Sequence, residues 1–465
     1  MTPDVQPTPD DGFDLSVPVL IIGAGAAGMV AALSAKDAGG EVLVLEADAV
    51  PSGSTALSAG LIPAAGTSFQ KAAGIEDSPE LFAEDIQKKA KGENPEALVL
   101  RLTRSIGHTI EYLAERYDLP FSVVDDFDYP GHSRRRMHGL PSRSGRELVD
   151  RLRATCEAEG IDIVCNRRAK TLFAENGCIT GVEVASPDGV ERIGCAALIL
   201  ACNGFGGNRE MVAEHMPEIE SAVWFGHPGN QGDAVIWGDA IGAETLHLGA
   251  YQGHGNVAHP HGILITWAVI TEGGVQVNAR GERFWDESQG YSEAARAVLS
   301  QPDGIAWSIF DARIAGVARQ FQDFKDAEAA GAIRTAGTIE DLAKVCGLPE
   351  DTLGETLRAI PTDGPDEFGR SFGAKPLEPP YHAVKVTGAL FHTQGGLNVD
   401  GTARVKLAHG DVLPNLFAAG GAAVGVSGRA DSGYLSGNGL LSAVALGAIS
   451  GAEAATMTGK DSDDA

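Results

Sequence analysis

Cysteine is scarce in this chain: there are six among 465 residues, Cys156, Cys165, Cys178, Cys195, Cys202 and Cys346, and none stands in a C-x-x-C pair. That spacing excludes the usual iron–sulfur, haem and zinc frameworks, so no metal site is expected, and it predicts free thiols in a reducing compartment. Basic residues are in deficit. Thirty-six Lys and Arg face 63 Asp and Glu, a formal net charge of −27. This argues against nucleic acid or an anionic membrane surface as a partner, yet leaves room for a local basic pocket that holds an anionic substrate. No apolar run is read as reaching the roughly 18 residues of a membrane span. The opening MTPDVQPTPDDGFDLS has neither the basic nor the apolar region of a signal peptide. Together these absences predict a cytoplasmic protein without a membrane span.

What is present is glycine, 60 residues of it, clustered in motifs rather than spread through linkers. The length suits two domains, since single cores rarely grow past about 250–300 residues. Residues 1–16 and 455–465 read as polar, flexible tails. Between them, short β-branched runs alternate with helical text, the pattern of a parallel α/β sheet. Strands are expected at Val17–Ile22, Val42–Glu46 and Ile161–Cys165. Helices are expected at Ala26–Ala38, Gly145–Glu159 and Gly439–Ala455, and also at Pro79–Ala90 and Pro95–Tyr117 behind capping Ser78 and Asn94. A hairpin, Cys178–Ala185 with Glu191–Ala197, runs into the apolar strand Ala196–Cys202. From about 250 to 377 the text becomes richer in aromatics, with a helical stretch at Asp311–Gly331, and reads as an inserted α+β cap. The expected division is 1–249 and 378–465 for a Rossmann-type α/β domain, with 250–377 as the cap.

The segment VPVLIIGAGAAGMVAALSAKDAGGEVLVLEA places Gly23, Gly25 and Gly28 as G-x-G-x-x-G after a strand and at a helix start. The first glycine makes the turn, the second admits a pyrophosphate to the backbone, and the third packs helix on strand. Glu46 ends the next strand, where an acid binds ribose hydroxyls. These features define a dinucleotide site.

Further segments carry a resemblance: SGSTALSAG (52–60), ALILACNGFGGN (197–208), GVQVNARGERFWDE (274–287), FHTQGGLNVD (391–400), VLPNLFAAGGAAVG (412–425) and GYLSGNGLLSAVALGAISG (433–451). In this order the chain resembles the fumarate reductase/succinate dehydrogenase flavoprotein superfamily from about Val17 to Ala455. The resemblance implies FAD, lined by Gly23, Gly25, Ala26, Ala27, Gly28, Glu46, Ala47, Ser54, Thr55, Gly60 and Leu61. It adds Ala169, Ala201, Asn203, Gly204, Asn208, Asp233 and Gly420. The helix start Gly439, Leu440 and Leu441 would turn its positive end to the flavin. Some members attach FAD through a histidine where this chain has Ser54, so non-covalent attachment is expected. The family often carries an acid where this chain has Gly421, so the ribityl contacts should differ.

By the same resemblance, fumarate reductases place an arginine at the position of Tyr291, another near Tyr434, and a glutamate and arginine relay at Trp267 and Ile270. None of the four ionisable groups is present, which argues against a dicarboxylate substrate. Tyrosines at 291 and 434 are instead similar to the active site of 3-ketosteroid Δ1-dehydrogenases and, with one carboxylate subsite kept, of 4-oxocyclohexanecarboxylate desaturases. That likeness implies that Tyr434 donates to a ketone oxygen and that Tyr291 removes the α-proton, with Tyr129 as a third tyrosine. His254, Thr266, His392, Arg429 and Asn438 would contact the substrate. The His254, His259 and His261 group has no carboxylate spacing to make it a metal site, and Arg134–Arg136 reads as a solvated or flavin-facing loop. The expected activity is FAD-dependent α,β-desaturation of a cyclic ketone or keto acid, with oxygen, a quinone or a protein as electron acceptor. The alternatives are a fumarate-reductase-like ene-reductase and an electron-relay subunit.

Overall fold

The computed structural model describes residues 4–125, 128–372 and 375–463, with side chains as far as Gly459. The strand Leu15–Ile22 lies between Val42–Leu45 and Gly189–Leu200, parallel to both. Asp162–Val164 extends the parallel set past Val42–Leu45, and Val412–Ala418 joins the last residues of Gly189–Leu200. Their buried stretches Val19–Ile22, Leu43–Leu45 and Ala197–Leu200 are apolar because helices cover both faces of a parallel sheet. The expected hairpin forms, but its second strand and the apolar strand after it are one continuous strand. Its first half pairs antiparallel with Cys178–Ser186 and its second half joins the parallel core.

Gly23 turns the chain out of the first core strand at φ +106°, and a Cβ there would lie 2.5 Å from the Ala201 carbonyl oxygen. At Gly28 a Cβ would lie 1.8 Å from the Gly23 oxygen, so only glycine lets the helix Ala26–Asp37 close onto the turn. The C-terminal helix Asn438–Asp463 meets this helix backbone to backbone. Side chains at Gly447 and Gly451 would strike the carbonyl oxygens of Ala27 and Ala31. The same helix corrects the expectation that no run is apolar enough to span a membrane. Asn438–Gly459 passes by length and composition, but most of it is buried in the protein. Its apolar character serves a core.

Both supposed tails contain regular structure. Asp4–Gln6 pairs parallel with Thr171–Phe173, supplying a short strand to the open edge of the antiparallel extension. Phe13 packs edge-on against Phe173, Asp11 pairs with Arg192, and helix continues through Asp463. Ser78 caps its helix by accepting the Leu81 N–H at 3.1 Å. Asn94 does not cap. Pro95 holds that position, and Asn94 instead donates to the Val426 carbonyl and accepts the Gly428 N–H at 2.7 Å.

The chain divides into two compact units: Met1–Met211 with Gly226–Tyr251 and His392–Ala465, and Val212–Phe225 with Gln252–Phe391. The cap therefore ends at Phe391 rather than at 377, and it recruits residues 212–225. The reason is pairing. Tyr381–Thr393 is the hub of the seven-stranded cap sheet, antiparallel to Ile305–Asp311 and Ile333–Ala336, and Val223–Trp224 adds in parallel to Ala389–Leu390. The expected helix at Asp311–Gly331 is two helices, Ala312–Ala318 and Gln322–Ala329.

Candidate functional site

In the first unit the nucleotide cradle is built from turns that hold one another. Glu46 accepts the Ala24 N–H at 2.8 Å and the Asp48 N–H at 2.9 Å, fixing the glycine turn beside it, and Ala47 follows on the surface. The Ala26 N–H donates to Thr55 Oγ1 at 3.1 Å. Ser54 Oγ accepts two amides, Asn203 Nδ2 and Asn230 Nδ2, each at 2.8 Å. Asn203 sits at φ +67° and accepts the Gly204 N–H, which stabilises the left-handed turn. A Cβ on Gly204 would lie 1.9 Å from Thr393 Oγ1, so this glycine joins the 203 turn to the strand bearing His392. Asn208 donates to the Gln231 carbonyl at 3.0 Å. Asp233 pairs with Arg168 at 2.6 Å, and burial raises its carboxyl above the ordinary value despite that partner. Gly60 and Gly420 take positive φ, Leu61 and Ala169 are buried, and Ala201 is half-buried. Asn230 escaped the sequence reading; its only signal there is its place in the turn-rich HPGNQGD.

These residues fit a dinucleotide. The helix Ala26–Asp37 has no acid in its first turn, Gly25 supplies no side-chain cap, and among the described residues a Cβ on Gly25 would meet only Thr55 Oγ1, at 3.5 Å, the atom that already accepts the Ala26 N–H. Uncapped N–H groups beside open space suit a pyrophosphate. Gly421 has a structural cause as well. A Cβ there would lie 2.2 Å from Asn203 Oδ1 and 3.1 Å from His392 Cε1. Gly421→Asp should therefore displace Asn203 from Ser54 and yield protein depleted in flavin, read from the ratio of flavin to protein absorbance. Full flavin content would refute this.

The late loop of the same unit gathers further expected residues. Tyr434 is buried. Asn438 spends its Nδ2 on the Val426 carbonyl and Ser427 Oγ, leaving Oδ1 buried without a partner among the described residues. Gly439 and Leu440 are half-buried and Leu441 is buried in the first helical turn. Arg429 is exposed, with its backbone N–H on Glu93. Burial pushes the half-buried His392 ring down to about 4. Tyr129 packs on Leu61, Val124 and Met137, and His132, in the same turn, donates Nε2–H to the Ser436 carbonyl at 2.9 Å.

Arg136 overturns the expectation of a solvated or flavin-facing loop. It is 1% exposed, bound to Asp77 through two nitrogens at 2.9 Å, to Asp85, and over the Phe82 ring. Arg134 is exposed as expected.

In the cap, Tyr291 heads the helix Tyr291–Leu299 behind Gly290, which has φ +132°. Its ring stacks on His254 at 5.1 Å and 19°, His254 stacks on Phe391 at 5.3 Å, and Phe391 on Phe225 at 4.8 Å. Trp267 stands edge-on to both His254 and Tyr291. Ser292 Oγ accepts the Gly253 N–H at 2.9 Å, which ties the helix to the strand carrying His254. His254 Nδ1 accepts the Asn256 N–H, so its proton lies on Nε2, and burial pushes the ring down to about 3. Thr266 is a turn residue that accepts the Ala268 N–H at 3.3 Å. The R-F-x-x-E run is a buried clamp: Arg283 bridges Glu287 and Asp366, and Arg370 reaches Glu287 at 3.0 Å. Among the described residues no group of three His, Cys, Asp or Glu is placed to hold a metal.

Fold and site define a flavoprotein oxidoreductase. The chain belongs to the FAD binding domain family, whose model matches residues 18–440. It is 33% identical over 448 residues to a probable fumarate reductase of Shewanella frigidimarina, covering 94% of this chain and 74% of the relative. It is 26% identical over 518 residues to a 4-oxocyclohexanecarboxylate 2-dehydrogenase of Sinomonas cyclohexanicum, covering 89% and 88%. The structure of an open flavocytochrome c3 fumarate reductase aligns with a TM-score of 0.83 at 30% identity, covering 96% of this chain and 79% of that one. A 3-ketosteroid Δ1-dehydrogenase from Sterolibacterium denitrificans shares the fold, with a TM-score of 0.79, 21% identity and coverage of 95% and 100%. The protein is an FAD-dependent oxidoreductase with an α/β FAD-binding domain and a cap.

Proposed function

We propose that this enzyme desaturates a cyclic ketone or keto acid at the bond next to its carbonyl, with FAD held non-covalently. The observation that carries this reading is the column Phe225, Phe391, His254 and Tyr291, four rings with an imidazole kept neutral by burial. An aromatic wall that offers no cation suits an apolar ring, whereas a dicarboxylate buried without cations carries an uncompensated desolvation cost. Tyr434 donates its O–H to the ketone oxygen and stabilises the developing enolate. Tyr291, ionised, takes the α-proton. FAD, when bound, supplies the acceptor at N5 for the hydride that leaves the β-carbon. His254 and His392 offer neutral N–H donors to the substrate, and an external acceptor (oxygen, a quinone or a protein) reoxidises the enzyme.

Identity to a probable fumarate reductase supports a second reading, the same chemistry run backwards as an ene-reductase. Its mark is reduced enzyme that an enone reoxidises and oxygen does not. The deciding measurement is anaerobic bleaching of the flavin by 4-oxocyclohexanecarboxylate, cyclohexanone, a 3-ketosteroid and succinate. At least one of the three ketones should bleach it; bleaching by succinate alone overturns the proposal.

A further inference from the structure

Four side chains at the start of the C-terminal helix form a hydrogen-bonded chain with a determined direction. Asn438, anchored on the Val426 carbonyl at 3.0 Å, also donates Nδ2–H to Ser427 Oγ at 3.1 Å. Ser427 has one proton and gives it to Gln394 Oε1 at 3.0 Å. With its oxygen so occupied, the Gln394 amide turns Nε2 toward His392 Nδ1, 2.8 Å away. An amide nitrogen only donates, so Nδ1 accepts and the ring proton lies on Nε2. Asn438, Ser427 and Gln394 are 0%, 1% and 3% exposed, which leaves no room for water to substitute for any link.

We propose that Gln394, locked by Ser427 and Asn438, is a positioning residue that fixes His392 as a neutral Nε2–H donor to a substrate oxygen. The last step rests on the reading above, in which His392 touches the substrate. The surroundings of His392 agree. Thr393 on its own strand, Gln394 just past the strand's end, and Asn203 and Gly421 beside it are uncharged. Burial lowers its proton affinity and the Thr393 backbone alone opposes that. A fixed neutral donor recognises a ketone or a single carboxylate oxygen and keeps the same state across the range in which an ordinary histidine titrates, about pH 5–8.

The test is nitrogen NMR of histidine-labelled holoenzyme, with substrate KM measured against pH. The wild-type imidazole should be neutral with its proton on Nε2, and KM should be flat over about pH 5–8. In Gln394→Glu the carboxylate accepts Nδ1–H, so His392 should acquire a titration within that window. KM should then rise about tenfold as pH climbs through the new pKa, because the loss of Nε2–H turns a donor toward the substrate into a lone pair. Ser427→Ala, which frees the amide to rotate, should give a mixture of the two tautomers. A wild-type proton on Nδ1, or both variants retaining the wild-type signal, overturns the inference. If tautomers shift as expected while KM stays flat in every variant, the positioning role stands and the contact between His392 and substrate is what fails.

Discussion

Tyr291→Phe should lower the rate of flavin reduction by ketone substrate by two to four orders of magnitude, about what removal of a general base costs. Phenylalanine keeps the ring that stacks on His254 and meets Trp267, so flavin content should hold. Only the oxygen is lost. The wild-type rate should itself rise with pH. A free phenol titrates near pH 10, so the tyrosinate costs about 4 kcal/mol at pH 7. The base must be deprotonated to act, which puts the optimum on the alkaline side. Single-turnover reduction across pH checks both statements. A profile flat from neutral to strongly alkaline, or full turnover by Tyr291→Phe, would remove Tyr291 as the base and leave the FAD assignment untouched.

Arg136→Leu should lower the melting temperature by about 5 °C. The substitution strands the Asp77 carboxylate, whose side chain is 0% exposed, and weakens the hold on Asp85. Breaking a buried ion pair from one side costs about 3–5 kcal/mol, and in a chain of 465 residues each kcal/mol shifts the transition by about 1–2 °C. Arg134→Leu, two residues away and exposed, is the control and should change little. Calorimetry of the flavin-loaded proteins measures both. Equal melting temperatures for the two variants would refute the buried network as a source of stability. The network also holds His132, which grips the Ser436 carbonyl next to Tyr434, so the Arg136 variant should also lose activity below its melting range.

Local signals were enough wherever the chemistry is local. The glycine fingerprint, Glu46 and the strand–turn–helix around them were legible because a tight turn, a close helix contact and a strand end each demand a residue type at a set spacing. The Ser54 loop was legible by resemblance, but not its partners: Asn230 reaches Ser54 from a distant turn. Asn94 was misread because an asparagine before proline has the form of a cap, while its side chain had a partner more than 300 positions away. Arg136 was misread because three neighbouring arginines look solvated until two acids from elsewhere surround one of them.

By itself the sequence determined that this chain binds a dinucleotide through a Rossmann-type turn, and that it has tyrosines at 291 and 434, positions where the resemblance implies arginines in a fumarate reductase. Those are statements about residue type and spacing, which survive without coordinates. Tertiary structure alone decided that Phe225 and Phe391 complete a column with His254 and Tyr291. It also decided that Tyr381–Thr393 is the hub of the cap sheet, and that Gln394 reads Ser427 on one side and His392 on the other. Each depends on pairing between segments distant along the chain, and neither periodicity nor spacing records which partners the fold brings together.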